Sequence, residues 1–136
     1  MISRSLLLGT AAYLGVALAL SLPAEAGHRD CSALHALNPD GDGSLDWREV
    51  RSAAKALFHK LNNDGDGTLE LDEVAGRVGL LSFARANPDR DGSLDMGEWL
   101  GLVKHRFERA NPDGDATIEC DEWTSLRGLR LQKVTY

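Results

Sequence analysis

The sequence predicts an all-α fold, a compact array in which short helices are shared by four twelve-residue loops. A motif that begins Asn-x-Asp-x-Asp starts at residues 38, 62, 87 and 111, so it recurs every 24 or 25 residues. Each copy ends in Glu, and only 12 or 13 residues separate that Glu from the next motif. Two helices and a linker do not fit into so short a segment. We therefore expect a single helix to leave each loop and enter the next.

Each loop has oxygen-bearing side chains at its positions 1, 3, 5, 9 and 12, an aliphatic residue at position 8, and Gly at position 6 in three of the four copies. This is the EF-hand pattern, in which oxygens alone surround a hard cation, position 7 offers its carbonyl and the final Glu binds with both oxygens. No Cys or His occupies a ligand position, so zinc and copper match poorly. The predicted metal ligands are Asn38, Asp40, Asp42, Ser44, Asp46 and Glu49 in loop 1; Asn62, Asp64, Asp66, Thr68, Glu70 and Glu73 in loop 2; Asn87, Asp89, Asp91, Ser93, Asp95 and Glu98 in loop 3; and Asn111, Asp113, Asp115, Thr117, Glu119 and Glu122 in loop 4.

Helices are predicted on both sides of every loop, starting with an entry helix over Cys31–Leu37 and ending with an exit helix over Cys120–Leu129. The segment Leu71–Ala86 contains Gly76 and Gly79, which lower helix propensity, and we expect it to break near Gly79. The segments after loops 1 and 3 have apolar residues at helical spacing, namely Val50, Ala54, Leu57 and Leu61, and Leu100, Val103 and Phe107.

The path of these helices predicts which loops pair. If each helix carries the chain from one end of the domain to the other, loops 1 and 3 lie at one end and loops 2 and 4 at the other. Pairing would then skip one loop, although ordinary EF-hands pair neighbours, and a break near Gly79 would change the path. Trp99 and Trp123, which directly follow the last Glu of loops 3 and 4, are predicted to be core residues.

Residues 1–26 are predicted to be a secretory signal peptide. Arg4 supplies positive charge, an apolar uncharged run follows, and Ala24-Glu25-Ala26 forms an Ala-x-Ala cleavage site. The apolar run is near the length of a membrane span, so a retained anchor is the alternative, but the cleavage site favours export. Residues 27–136 are then one four-loop metal-binding domain, periplasmic or secreted and without a membrane attachment after cleavage.

The acidic residues are concentrated in the loops, which hold 18 of the 21 Asp and Glu residues of a chain with net charge −6. Such dense charge repels itself, so we expect a poorly ordered metal-free state that folds as cations bind. A net-negative exported chain is a poor match for nucleic acid. No nucleophile–base arrangement or phosphate-cradling loop is recognisable, so we expect no enzymatic activity.

Three further residues carry specific expectations. Cys31 and Cys120 are the only cysteines, and in an exported chain we expect them to form a disulfide, with free thiols or an intermolecular bridge as the alternatives. In loop 4, Ala116 replaces the Gly of position 6, where a Cβ disfavours the required backbone by about 1–2 kcal/mol. Loop 4 is therefore expected to be the weakest site.

Taken together, the repeats resemble the lanmodulin family, periplasmic lanthanide-binding proteins of methylotrophic bacteria. The resemblance covers nearly all of the chain after residue 26 and rests on the spacing, the signal peptide, Gly76-Arg77-Val78, and a Pro at position 2 of loops 1, 3 and 4. It implies selective binding of lanthanide(III) ions over calcium, ordering on binding, and a partner such as a lanthanide-dependent dehydrogenase or an uptake system.

The chemistry of the loops leaves two cations open. Lanthanide ions resemble calcium in their preference for oxygen but carry one more charge, which a dense carboxylate cage favours. Position 1 is a neutral Asn in every loop, where the family has mostly Asp, and this lowers the charge of each site. A calcium-binding EF-hand buffer, or a calcium-dependent protein-interaction module, is therefore the alternative.

Overall fold

The computed structural model describes residues 30–136, and the predicted signal peptide lies outside them. About half of these residues are helical, and no helix among them is long and apolar enough to cross a membrane. In chain order the elements are α1 (Ser32–Leu37), β1 (Leu45–Asp46), α2 (Trp47–Leu61), β2 (Leu69–Glu70), α3 (Leu80–Ala86), β3 (Ser93–Leu94), α4 (Met96–Ala110), β4 (Thr117–Ile118), α5 (Cys120–Trp123) and α6 (Leu126–Gln132).

The domain is mainly helical, but it is not purely α-helical as the sequence predicted. Each loop contributes a two-residue strand, and these strands form two antiparallel sheets of two strands each. In one sheet β1 pairs with β4, which places Leu45 opposite Ile118. In the other β2 pairs with β3, which places Leu69 opposite Leu94. The loops therefore pair as 1 with 4 and 2 with 3, and the predicted pairing of loops 1 with 3 and 2 with 4 is wrong.

The reason is a reversal of the chain between loops 2 and 3. Residues 71–78 form turns, Gly76 has a φ of +76°, and α3 starts only at Leu80 and has seven residues. The predicted break near Gly79 is thereby confirmed. By contrast, α2 and α4 each run for 15 residues, and each carries the chain from one loop to the next as a single helix, as predicted. Loop 3 consequently returns to the end of the domain where loop 2 lies.

The core lies between α2 and α4. The Phe58 and Trp99 rings meet edge to face with centroids 6.4 Å apart, and the indole Nε1 of Trp99 donates a hydrogen bond of 2.9 Å to the carbonyl of Ala54. Trp99 and Trp123 are both fully buried, which confirms their prediction as core residues. Of the apolar positions predicted on these two helices, all are buried except Leu61 and Leu100, which pack against the edge of the core.

The C-terminal segment forms two helices instead of the single predicted exit helix. The chain leaves α5 at Thr124, and the Ser125 hydroxyl accepts a hydrogen bond from the Gly128 N–H at 3.0 Å, which starts a new helix. Gly128 lies so close to α5 that a Cβ there would collide with the carbonyl groups of Glu122 and Trp123. Helix α6 is therefore held against the end of loop 4.

A disulfide joins the residue before α1 to the first residue of α5. Cys31 and Cys120 are bonded, with their Cα atoms 5.6 Å apart. The entry helix was predicted to start at Cys31, and α1 starts one residue later, at Ser32. The disulfide predicted from the two cysteines is confirmed, and it fixes α1 beside loop 4.

Candidate metal centres

All four loops share one backbone turn, which the Asn at position 1 builds. Its side-chain oxygen accepts a hydrogen bond from the N–H at position 4, over distances of 2.8, 2.6, 2.6 and 2.7 Å in loops 1 to 4. Short polar side chains commonly stabilise turns in this way. Three of these residues, Asn38, Asn87 and Asn111, are buried. In this structure the predicted ligands at position 1 therefore organise the loop.

Two positions in each loop adopt a positive φ. Position 6 was expected to do so, and Ala116 has a φ of +77° there, although it has a Cβ. Position 4 also does so, and the sequence reasoning missed it: it is Gly in loops 1, 2 and 4, whereas Arg90 in loop 3 has a φ of +61°. The recurring Gly at position 4 was a usable signal, because glycine adopts this region without strain. Backbone strain is thus confined to two loop positions, Arg90 and Ala116.

The Asp residues at positions 3 and 5 point towards the inside of the turn of their own loop. At position 5, one carboxylate oxygen accepts the N–H of position 7 at 2.8–2.9 Å and its hydroxyl at 2.9–3.2 Å. At position 3, one oxygen accepts the N–H of position 5 at 3.1–3.3 Å. The backbone N–H of Thr68 lowers the pKa of Asp66, and that of Thr117 lowers the pKa of Asp115. The lowered pKa values favour the ionised form of Asp66 and Asp115, which is the form that binds a cation.

The Glu at position 12 closes each loop through a hydrogen bond to one of its oxygens. Its Oε2 accepts the N–H of position 9 at 2.9–3.3 Å in all four loops. In Glu49 and Glu122 the second oxygen, Oε1, is buried without a hydrogen-bond partner. Burial raises the pKa of Glu49, and it raises the pKa of Glu122 to about 7. A buried carboxylate oxygen without a donor is unfavourable, and a bound cation would satisfy it.

Position 9 divides the loops into two kinds, a difference that the sequence reasoning missed. In loops 1 and 3 it is Asp, and Asp46 and Asp95 accept the N–H of the position-12 Glu, which caps the following helix. Asp46 also pairs with the exposed Arg48 at 2.9 Å. In loops 2 and 4 it is Glu, whose longer side chain accepts the hydroxyl of the position-7 Thr at 3.2 and 2.9 Å.

This difference decides where carboxylates gather. Positions 3, 9 and 12 bring carboxylate oxygens within 4.8 Å of one another in loops 2 and 4. Within residues 30–136, loops 1 and 3 show no such group of three, because their shorter Asp at position 9 turns towards the helix. The two groups are Asp64, Glu70 and Glu73, and Asp113, Glu119 and Glu122.

Loop 2 differs from the other three at position 2. The N–H of Asn63 donates a hydrogen bond of 2.8 Å to Oε1 of Glu73, while Oε2 accepts from Glu70. Both oxygens of this Glu are therefore engaged by the backbone. Loops 1, 3 and 4 have Pro at this position, which has no N–H to donate. The Pro thus leaves an oxygen of the final Glu without this competing donor.

All 24 predicted ligand residues lie in the described loops, and carboxylates and amide oxygens are the groups that a hard cation prefers. A cluster of this kind can hold calcium, a lanthanide ion or another hard cation. No family model matches the chain, and no curated protein matches it. The site is therefore interpreted from its own residues.

Proposed function

We propose that this protein binds hard cations through four EF-hand loops, and that its cargo in the periplasm is lanthanide(III) ions, which it captures, buffers or shuttles. The observation that carries the proposal is the state of the final Glu in loops 1 and 4. Each places one oxygen in a buried position where no protein group donates to it. A cation held by that oxygen and by the carboxylates of the same loop would remove the cost of leaving it unpaired.

The charge distribution supports coupling of binding to folding. The four loops lie in two pairs, so each sheet joins two acidic loops whose carboxylates repel one another when no cation is present. Burial raises the pKa values of Glu49, Glu98 and Glu122, and nearby Asp carboxylates add to each shift. Cation binding relieves this repulsion, so part of its free energy would be used to order the domain.

The choice of a trivalent ion depends on the number of carboxylates that each cage offers. Loops 2 and 4 gather three carboxylates, and a third positive charge on the cation strengthens its attraction to each of them. The resemblance to lanmodulins supports the same choice, and it suggests delivery to a lanthanide-dependent dehydrogenase or an uptake system.

Calcium is the second candidate, and one observation favours it. In loops 1, 3 and 4 the Asn amide at position 1 donates to the Asp at position 5 over 3.3–3.5 Å. A donor at this place partly offsets the negative charge of the Asp carboxylate, which reduces the advantage of a trivalent ion. The chain would then act as a calcium buffer or as a calcium-dependent interaction module.

Terbium luminescence distinguishes the two candidates, because the chain carries its own sensitisers. Trp47 starts the helix after loop 1, Trp99 and Trp123 directly follow the final Glu of loops 3 and 4, and loop 2 has no Trp at either place. We expect terbium added to metal-free protein to give Trp-sensitised emission. Equimolar calcium should leave that emission unchanged if the protein selects lanthanides, and loss of the emission would contradict the selectivity.

Variants assign the emission to individual loops. Glu122→Gln should remove the contribution of loop 4, and Glu49→Gln that of loop 1, because each removes a carboxylate that the cation requires. Glu108→Gln is the matched control, since Glu108 is exposed on α4 outside the loops and approaches only Lys104, at 3.9 Å. Emission that neither Glu49→Gln nor Glu122→Gln reduces, or that Glu108→Gln reduces equally, would refute binding in loops 1 and 4.

A further inference from the structure

A groove with strongly positive walls lies among the turn after loop 2, α3, α4 and α6. Its volume is about 490 Å³, within the range typical of small-molecule sites. Seven of the fifteen Lys and Arg residues of the chain line it. They are Arg77 from the turn, Arg85 from α3, Arg106 and Arg109 from α4, and Arg127, Arg130 and Lys133 from the C-terminal segment.

No side-chain carboxylate of the described residues lines this groove. Outside the loops, the acidic residues of the described chain are Asp30 and Glu108, and neither lines the groove. Glu108 instead approaches Lys104 on the same helix. Within residues 30–136, neither of the two ion pairs between side chains includes a groove residue. Within this part of the protein, no Asp or Glu side chain therefore neutralises the positive charge of the groove.

Main-chain oxygens hold the floor of the groove in place. The half-buried Arg106 donates to the carbonyl of Arg130 at 2.7 Å and to that of Arg77 at 3.3 Å. Arg77 in turn donates to the main-chain oxygens of Lys133 and Tyr136 at 3.1 and 2.7 Å. Burial, and then the charge of Arg130, lower the pKa of Arg106, yet a guanidinium stays protonated in proteins. Arg77 and Arg106 are thus positioned before any ligand arrives.

We propose that this groove binds a small molecule that carries two or more phosphate or carboxylate groups. Guanidinium groups recognise both oxyanions through paired hydrogen bonds, and Arg85 of α3 and Arg130 of α6 line the groove and are both exposed. A ligand with several charges would neutralise several of these cations at once, which a monoanion cannot do. The groove contains none of the predicted metal ligands, and the acidic loops repel such a ligand, so the site is distinct from the loops.

A fluorescent polyanion tests the proposal without disturbing the loops. Pyrene-1,3,6,8-tetrasulfonate is a suitable probe because sulfonates are weak ligands for hard cations and do not compete with the loops for calcium. Its binding to the folded, calcium-loaded protein can be measured by fluorescence anisotropy. We expect one probe per chain. Arg85→Gln and Arg130→Gln should each weaken binding about tenfold, the effect of losing one charge-assisted contact. Arg51→Gln, which removes an exposed Arg on α2 outside the groove, is the matched control and should leave binding unchanged.

Competition identifies the chemistry of the ligand. Fructose 1,6-bisphosphate or benzene-1,3,5-tricarboxylate should displace the probe, and the stronger competitor shows whether phosphate or carboxylate is preferred. Absence of probe binding, or equal weakening by Arg51→Gln, would overturn the proposal. Vesicles of phosphatidylglycerol are tested in the same way. If Arg85→Gln and Arg130→Gln weaken vesicle binding while the soluble anions do not bind, the groove contacts a lipid surface and the small-molecule site is refuted. Urea unfolding of each variant confirms that the exposed substitutions leave the fold intact.

Discussion

Replacing Ala116 by Gly should strengthen cation binding in loop 4. Ala116 has a φ of +77° at the loop position that is Gly in the other three loops. An L-residue with a Cβ is disfavoured in this region by about 1–2 kcal/mol. If the metal-free loop is disordered, as we expect, this cost arises only when the loop closes around a cation. Removing the Cβ therefore removes a cost of binding.

The net gain is smaller than the strain itself. Gly also increases the conformational freedom of the open loop, which offsets about 0.4–1 kcal/mol of the benefit. The difference is about 0.5–1 kcal/mol, which corresponds to a two- to fivefold increase in affinity. The reverse substitution, Gly43→Ala in loop 1, should weaken cation binding in that loop by a comparable or larger factor, because Gly43 has a φ of +92°. A Cβ there would meet no other atom within 4 Å, so the whole effect would come from backbone strain.

Terbium titration of a single-loop protein measures the effect. With Glu49, Glu73 and Glu98 all replaced by Gln, loop 4 is the only loop that retains its final Glu, and Trp123 lies directly beside it. Ala116→Gly in this background should lower the terbium dissociation constant two- to fivefold. An unchanged or higher dissociation constant would show that the cation-bound loop does not use the left-handed backbone at position 6.

Three further predictions concern other parts of the site. Asn63→Pro should strengthen cation binding in loop 2 by up to about fivefold, as measured by calorimetric titration. It removes the N–H that donates to Oε1 of Glu73, and such a hydrogen bond has a typical net value near 1 kcal/mol. Because the pKa of Glu122 is raised to about 7 in the metal-free fold, protonation of this carboxylate stabilises that fold. Its contribution to the free energy of unfolding is therefore present below pH 4.5 and lost as the pH rises through 7, whereas the affinity of loop 4 for cations should fall about tenfold per pH unit below 7. Replacing both Cys31 and Cys120 by Ser should lower the free energy of unfolding in urea by about 4–5 kcal/mol, since the bridge closes a segment of 89 residues.

Each of these predictions has an outcome that would contradict it. Asn63→Pro fails if loop 2 binds cations more weakly than before, which would mean that the hydrogen bond positions Glu73 for the cation. A Glu122→Gln protein that retains the same pH dependence of cation binding would assign the titration to another group. A double Cys variant with unchanged unfolding would show that the bridge constrains neither state of the chain.

The spacing of the motifs predicted most of the helical framework, because segment length is a strong constraint. A segment of 12 or 13 residues between loops admits only one helix, and α2 and α4 have that form. The path of the chain was predicted less well. Gly76 and Gly79 indicated a break, but the direction in which the chain leaves a turn depends on its backbone angles and on packing, which a local pattern does not contain.

For the candidate site, too, the sequence predicted which residues are present better than it predicted how they are arranged. The positions of the oxygen-bearing side chains follow from the repeat, and the structure places them in four similar loops. Asp46 and Glu70 occupy equivalent positions and looked interchangeable, yet one extra methylene lets Glu70 reach the other carboxylates while Asp46 caps a helix. The basic groove was not predicted, because its residues come from segments far apart in the sequence and meet only in the folded chain.

The pairing of the first loop with the last has a consequence for the order of folding. Leu69 and Leu94 are separated by 25 residues, whereas Leu45 and Ile118 are separated by 73. Closing the longer segment costs about 1 kcal/mol more in chain entropy, so the sheet between loops 2 and 3 should form first. The sheet between loops 1 and 4 cannot form until the fourth loop is present. A chain that is released N-terminus first would therefore keep loop 1 without its partner until loop 4 has followed.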